Sequence, residues 1–321
     1  MEYQKTKRVD ITSARYYSCR EGAMAMQQLW KRIYRYKMVY LMLLPVLAYF
    51  IVFSIYPLCL GIANSFMKSK MIGDSEFIGI QNYTGVFNNP VYTQAFSNTL
   101  IVGVGTFAVQ FLFGLILALS INEIRNKFGK TIIQSVTYLP YMLSWSIVGG
   151  LWIKILAPKG MLNGLLNLII PMRSAVTFMA EPKYARTIMI LTGAWKGAGY
   201  YAVLLLAAVV SIDQSIYEAA AIDGASRLNQ IRSITIPNLV PTMKVIVVLG
   251  TTGLLRNFDQ IYVMRNSVID NKIRNLLYLI YNDGIQKFNT GTATAAATLV
   301  LIATFVISYI IRKVIKYDQS Y

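Results

Sequence analysis

The chain has no histidine, only two cysteines and only 14 acidic residues in 321. Without imidazole there is no ordinary general base and no His-ligated metal or haem. Cys19 stands in a polar stretch and Cys59 inside an apolar one, so neither a disulfide framework nor a Cys-rich metal site can be assembled. Charge of either sign is scarce at 14%, against about 25% in soluble domains. What is abundant is apolar sequence, 55% of the residues. It is gathered into uncharged runs of about 20 residues or more, the length that crosses a hydrocarbon core of roughly 30 Å. These absences exclude an ordinary soluble enzyme and imply an all-α polytopic membrane protein.

About six spans are expected, at Val39–Ile62, Leu100–Ile121, Ile132–Leu156, Thr187–Ile212, Leu239–Phe258 and Thr292–Ile311. Pro45 and Pro57 lie near the ends of the first, where a lost backbone bond is more easily satisfied. That run is longer than a signal-peptide core and follows a long tail, so it is not a cleaved leader. Lys244 and Arg256 interrupt the fifth, each expected to snorkel to an interface. Lys31, Arg32, Arg35 and Lys37 precede the first span, and Arg312, Lys313 and Lys316 follow the last. With Arg125, Lys127 and Lys130 they place both termini in the cytoplasm by the positive-inside rule. The outer segments also carry cations, Lys159, Arg173, Lys183, Arg265, Lys272, Arg274 and Lys287 among them. The net charge of +17 therefore suits anionic lipid heads, and a basic balance alone makes no nucleic-acid site. The expected organisation is a basic tail over 1–37, a transmembrane domain over 38–312 and a cytoplasmic tail over 313–321. Met24–Tyr36 reads equally as an interfacial helix and as a solvated basic tail. Ile78–Tyr83 and Asn88-Asn89-Pro90 read as a polar, turn-rich outer loop.

The segment over 211–241 is the informative one. Ser215 and Glu218 have capping-box spacing, Ala219–Ala221 make a small-residue face, and Gly224 suits the left-handed end of a helix. Ser226 caps the next helix, and Pro237 is expected to stop it before the fifth span. The pattern is a short helical elbow beneath the membrane, displaying Glu218, Asp223, Arg227 and Arg232. Capping alone would equally describe a connector.

Glu218-Ala219-Ala220, then Gly224, Ile234 and Ile236-Pro237 resemble, in residue and spacing, the EAA loop of ABC-importer permeases. Ala221–Ser226 is similar to the carbohydrate branch, related to maltose-type permeases. Leu41–Pro45, Asn98-Thr99-Leu100, Tyr138–Trp145 and Asn257–Met264 resemble the subfamily that imports polysaccharides and complex oligosaccharides. Asp213 departs from the pattern, where proline is common, and so does Ile231, where an aromatic is usual. The resemblance implies a type I ABC-importer permease fold and a subunit that hydrolyses nothing and binds no cofactor. ATP and Mg would be used by two separate ATPase subunits. A second homologous permease and an extracellular solute-binding protein would complete the complex. Gly129-Lys130-Thr131 mimics the end of a phosphate-binding loop, but Ile124 stands in place of its first glycine.

On this resemblance Glu218, Ala219, Ala220, Asp223, Gly224 and Arg227 are the expected ATPase-coupling residues. Aromatic faces and planar polar groups on the spans are the expected substrate path: Tyr141, Ser144, Trp145, Trp195, Lys196, Tyr200, Asn257, Asp259 and Gln260. Against this, tryptophan and tyrosine also anchor spans at interfaces, and Gly193 with Gly197 also serve close helix packing. The alternatives are an ABC permease for an amino acid, peptide or phosphate, and a secondary transporter. The latter should show inverted repeats or broken half-helices, neither of which is legible in the sequence. A membrane-bound enzyme lacks the convergent acid and base groups it would need.

Overall fold

The structure, a computed structural model, describes residues 34–68, 76–170 and 174–317. The basic tail, Cys19 and most of Met24–Tyr36 lie outside the described residues. The chain divides at Gly61 into two units. The first is dominated by helix α1 (Lys37–Asn64), whose described side chains include none that is buried. Such an apolar helix is matched to a hydrocarbon surrounding rather than to water. Its turn widens to a π-helix at Ile51–Ile55, closed by the Tyr56 N–H on the Ile51 carbonyl. Pro57 follows at once, so the wide turn sits where proline withholds a donor.

The second unit opens on a two-stranded hairpin, β1 (Met67–Lys68) and β2 (Glu76–Phe77). The expected loop at Ile78–Tyr83 instead turns at Gly79, with φ +59°, into α2 (Gln81–Asn88). Asn82 on α2 donates to the Ser65 and Met67 carbonyls, each at 2.9 Å. Asn89 then caps α3 (Pro90–Asn122), accepting from the Val91 N–H at 2.9 Å, with Pro90 at the first position.

α3 packs against α7 (Pro182–Val210) along most of its length, and this pair is the spine of the unit. Small residues allow it: a Cβ on Gly114 would stand 2.6 Å from the Tyr201 Cβ and 3.2 Å from the Ala198 carbonyl. Val102, Ile188, Met189, Ile261 and Met264 form one buried cluster. Ala118, Ile121, Leu205, Leu206 and Ile246 form a second, toward the C-terminal end of α3. Val86, Tyr92, Leu276, Leu279 and Val300 form a third at the opposite end.

The third expected span is not one helix. It is α4 (Lys127–Met142) and α5 (Trp145–Ile155), bent by 99° at Leu143-Ser144. Pro140 removes a donor from the last turn of α4, and the Ser144 hydroxyl offers a new start by accepting from the Ile147 N–H at 3.4 Å. A polar cap in mid-run breaks what hydropathy reads as continuous. After α6 (Met161–Ile169) and α7, the elbow begins with α8 (Gln214–Ile222). α9 (Arg227–Gly253) follows as one helix. Pro237 does not stop it, because the turn widens at Ile231–Thr235 and the Ile236 N–H reaches the Ile231 carbonyl. The same device precedes Pro57.

The expected fifth span, Leu239–Phe258, is therefore displaced toward the elbow, and Leu254–Phe258 form a break. Beyond it lie α10 (Asp259–Met264), α11 (Asp270–Ile273), α12 (Leu276–Tyr281) and α13 (Thr290–Val314). Among the described residues five helices are long and apolar enough to cross a membrane, or six if the bent pair counts as one span.

Candidate functional site

The elbow is built differently from the expected capping box. Asp213, not Ser215, caps α8, its carboxylate accepting from the Ser215 N–H at 2.9 Å. That backbone bond, then the Ser215 hydroxyl, holds the Asp213 carboxyl below the usual carboxylate range. Asp213 stands at the departure from the family pattern, so one backbone donor is met by a side chain where the pattern carries proline. Gly224 takes φ +77° and ends α8, with the Ala225 N–H returning to the Ala220 carbonyl at 2.9 Å. A Cβ there would meet nothing within 4 Å; the need for glycine is conformational. Ser226 caps α9 through the Asn229 N–H at 3.4 Å.

The elbow has two faces. Glu218, Ala219, Asp223 and Gly224 are exposed and Ala220 is half-buried. Beside them stand two aliphatic side chains that the sequence reading passed over, Ile222 at 87% exposed and Leu228 at 74%. Their signal was position: they flank the helix-ending glycine and belong to no buried stripe. The other face is tied to the body. The Tyr217 hydroxyl meets Thr235 Oγ1 at 2.9 Å, within the wide turn of α9. Arg227, expected among the outward coupling residues, reaches back to Gln230 at 3.2 Å and to Glu123, just past α3, at 3.9 Å.

The second feature is a cleft of about 280 Å³ facing the middle of α3. Gly103, Thr106, Phe107 and Gln110 line it from α3, Trp145 from the start of α5, Arg256, Asn257 and Phe258 from the break after α9, and Asp259 and Gln260 from the start of α10. Of the expected path residues, Trp145, Asn257, Asp259 and Gln260 meet here. Asn257 Nδ2 donates to Gln260 Oε1 at 2.7 Å, while Gln260 Nε2 donates to the Met189 carbonyl and to Thr192 Oγ1, both at 2.8 Å. Gln260 is 0% exposed, and its amide is taken up in pinning the break to α7. Arg256 lines the cleft. Lys244 does reach an end, donating to the Lys316 carbonyl at 3.4 Å.

The other expected path residues lie apart. Tyr141 and Tyr200 stack with ring centres 4.8 Å apart, and Lys196 Nζ donates to the Tyr141 carbonyl at 2.8 Å. Lys196 Nζ also stands 5.6 Å from the centre of the Trp145 ring, which links this cluster to the cleft. Trp195 lines a separate apolar recess with Phe113, Val136 and Pro140, and Ser144 serves as the cap of α5. Thr106 and Gln110 were missed. Their signal was present in Gly193 and Gly197: Gln110 Nε2 donates to the Gly193 carbonyl at 2.9 Å, and a Cβ on Gly197 would strike that amide. The glycine pair makes room for polar side chains as well as for helix packing.

Spans, a broken helix and a polar mid-span cleft define an integral membrane transport component. The chain belongs to the family of binding-protein-dependent transport system inner membrane components, whose profile matches residues 110–317. It is 30% identical over 295 residues to Protein LplB of Bacillus subtilis (strain 168), covering 89% of this chain and 91% of that one. It is also 30% identical to the polygalacturonan/rhamnogalacturonan transport system permease protein YteP of the same organism, covering 84% and 87%. Among solved structures it is similar to a bacterial alginate ABC transporter in complex with alginate pentasaccharide-bound periplasmic protein. That likeness has a TM-score of 0.80 and 31% identity, and covers 89% of this chain and 96% of the other. The one broken pair among the described residues, α4–α5, thus belongs to a chain of this family and does not favour a secondary transporter.

Proposed function

We propose that this chain is a pore-forming permease subunit of an ATP-driven importer that carries oligosaccharides or polysaccharide fragments across a bacterial cell membrane. The observation that carries the reading is α9. One helix of 27 residues runs from the exposed elbow to the break that lines the cleft, so a push at one end is delivered at the other. A helix of that length spans about 40 Å at 1.5 Å per residue. Relatives that handle polygalacturonan and alginate support the saccharide.

Glu218, Ala219, Ala220, Asp223 and Gly224, with Ile222 and Leu228, dock in a groove on a separate ATPase, two copies of which hydrolyse ATP with Mg. Arg227 acts behind them, holding the elbow to Glu123 and hence to α3. A second, homologous permease closes the other half of the path, and an extracellular binding protein delivers cargo. The termini and the elbow face the cytoplasm. In the cleft, Trp145 and Phe258 offer ring faces, while Thr106, Gln110, Asn257 and Asp259 offer hydroxyl-binding groups. Closure of the ATPase pair moves the elbow, and the joint between packed helices transmits that motion because it is close-packed and not compliant. The test is uptake of labelled oligosaccharides, amino acids and phosphate by cells with and without the gene. The reading expects loss of oligosaccharide uptake alone; loss of amino-acid or phosphate uptake with sugars unaffected contradicts it.

A further inference from the structure

The cleft carries more charge than neutral cargo requires. Arg256 follows the last turn of α9, is exposed, and lines the cleft. Among the described residues its side chain makes no ion pair and no hydrogen bond. Asp259 is also exposed on the same wall, and no ion pair joins the two. Lys196, beside the Trp145 ring, adds a second cation at the edge. Past the end of α9 and exposed on the cleft wall, the guanidinium is open to an anion that enters the cleft. Its planar fork matches a carboxylate bidentately, which an ammonium does not.

A second observation points to a ligand independently. Thr106 lines the same cleft, and its Oγ1 is buried with no hydrogen-bond partner among the described residues. The neighbouring amides are half-committed: Gln110 and Asn257 each spend their NH₂ group on the protein and keep their carbonyl oxygens for a donor. A fork cation, an orphan hydroxyl and two amide oxygens, between the Trp145 and Phe258 rings, suit a sugar ring bearing one carboxylate and several hydroxyls.

We propose that Arg256 is a specificity-determining residue that selects acidic saccharides, seating the carboxylate of a uronate unit while Thr106, Gln110 and Asn257 hold its hydroxyls. Asp259 repels the carboxylate and so holds the acidic preference below what Arg256 alone would give. This rests on the importer reading above and deepens it.

The test uses cells with the complete transporter and one unchanged binding protein. Uptake is measured for a panel of galacturonate, glucuronate and mannuronate oligosaccharides and for their carboxyl-reduced neutral counterparts. Arg256→Gln is expected to lower the acidic-to-neutral uptake ratio at least tenfold, chiefly through the half-saturation concentration, and Arg256→Lys to recover part of it. An unchanged ratio in Arg256→Gln overturns the proposal, as does parental uptake confined to the neutral sugars. Should Arg256→Gln not reach the membrane, Asp259→Asn carries the test: the ratio rises at least threefold, and a ratio that stays put overturns the proposal. Parental uptake of amino acids or phosphate with no sugar of either kind strikes the importer reading instead.

Discussion

On the proposed function the elbow and the cleft face opposite recognition problems and meet them with different residue types. At the elbow Asp213, Gly224 and Ser226 fix the backbone, and Ile222 and Leu228 stand exposed as an apolar knob beside Glu218 and Asp223. In the cleft the wall is pinned by a buried amide, Gln260, while Arg256, Asp259 and Thr106 Oγ1 have no partner among the described residues. A rigid apolar knob suits a protein groove that stays docked while it moves, since burial there is non-directional and persistent. Unpaired polar groups suit cargo that must be held briefly and released. Affinity spent on the first is useful; on the second it would slow passage.

The comparison is broken most severely at the knob. Replacing both Ile222 and Leu228 by Asp removes about 1.5–3 kcal/mol of burial per side chain. Binding of the ATPase should fall at least a hundredfold, read by co-purification and by titration in nanodiscs. Gly224→Val acts on shape alone: a branched residue at positive φ costs roughly 1–2 kcal/mol and distorts the docking turn. Uptake should fall at least tenfold at equal membrane abundance, whereas Gly224→Asn should stay within threefold, because asparagine tolerates that conformation. Gly224→Arg should behave as valine does.

On the cleft side, Gln260→Ala strips partners from the Met189 carbonyl, Thr192 and Asn257. It should cost about 1–3 kcal/mol, visible as a lowered unfolding temperature of the purified chain, with elbow docking unaffected. Least of all, Glu123→Gln loosens the ion pair to a well-exposed Arg227, worth at most about 1 kcal/mol. It should change uptake less than threefold. A tenfold loss there would move Glu123 from support into the coupling path proper.

The number of apolar runs, the placing of most of them, and the elbow as a capped pair of helices were legible because apolar runs and caps are local properties. The break at Leu143-Ser144 was not. Hydropathy averages over it, and Ser144 differs from an ordinary span residue only in where its hydroxyl points. Pro237 misled for a related reason: proline removes one donor, but a single wide turn re-registers the helix and lets it continue. Arg256 was assigned to an interface because long cations near span ends snorkel. Hydropathy does not show that the helix ends three residues earlier, at Gly253, or that Arg256 lines a cavity. Gln260 was read as a cargo contact from its type, yet type cannot say that Met189, Thr192 and Asn257 already occupy its amide. Legibility thus stopped where partners distant in sequence decide a side chain's duty.

The central claim is that the tip of the elbow is the seat of a separate ATP-hydrolysing subunit. A photo-cross-linking amino acid at position 222, activated in living cells during sugar accumulation, tests it most directly. The account predicts an adduct between this chain and a protein that takes up a photoreactive ATP analogue, and loss of that adduct when Gly224→Val is added. Vigorous sugar uptake with no ATP-binding adduct at position 222 would contradict it.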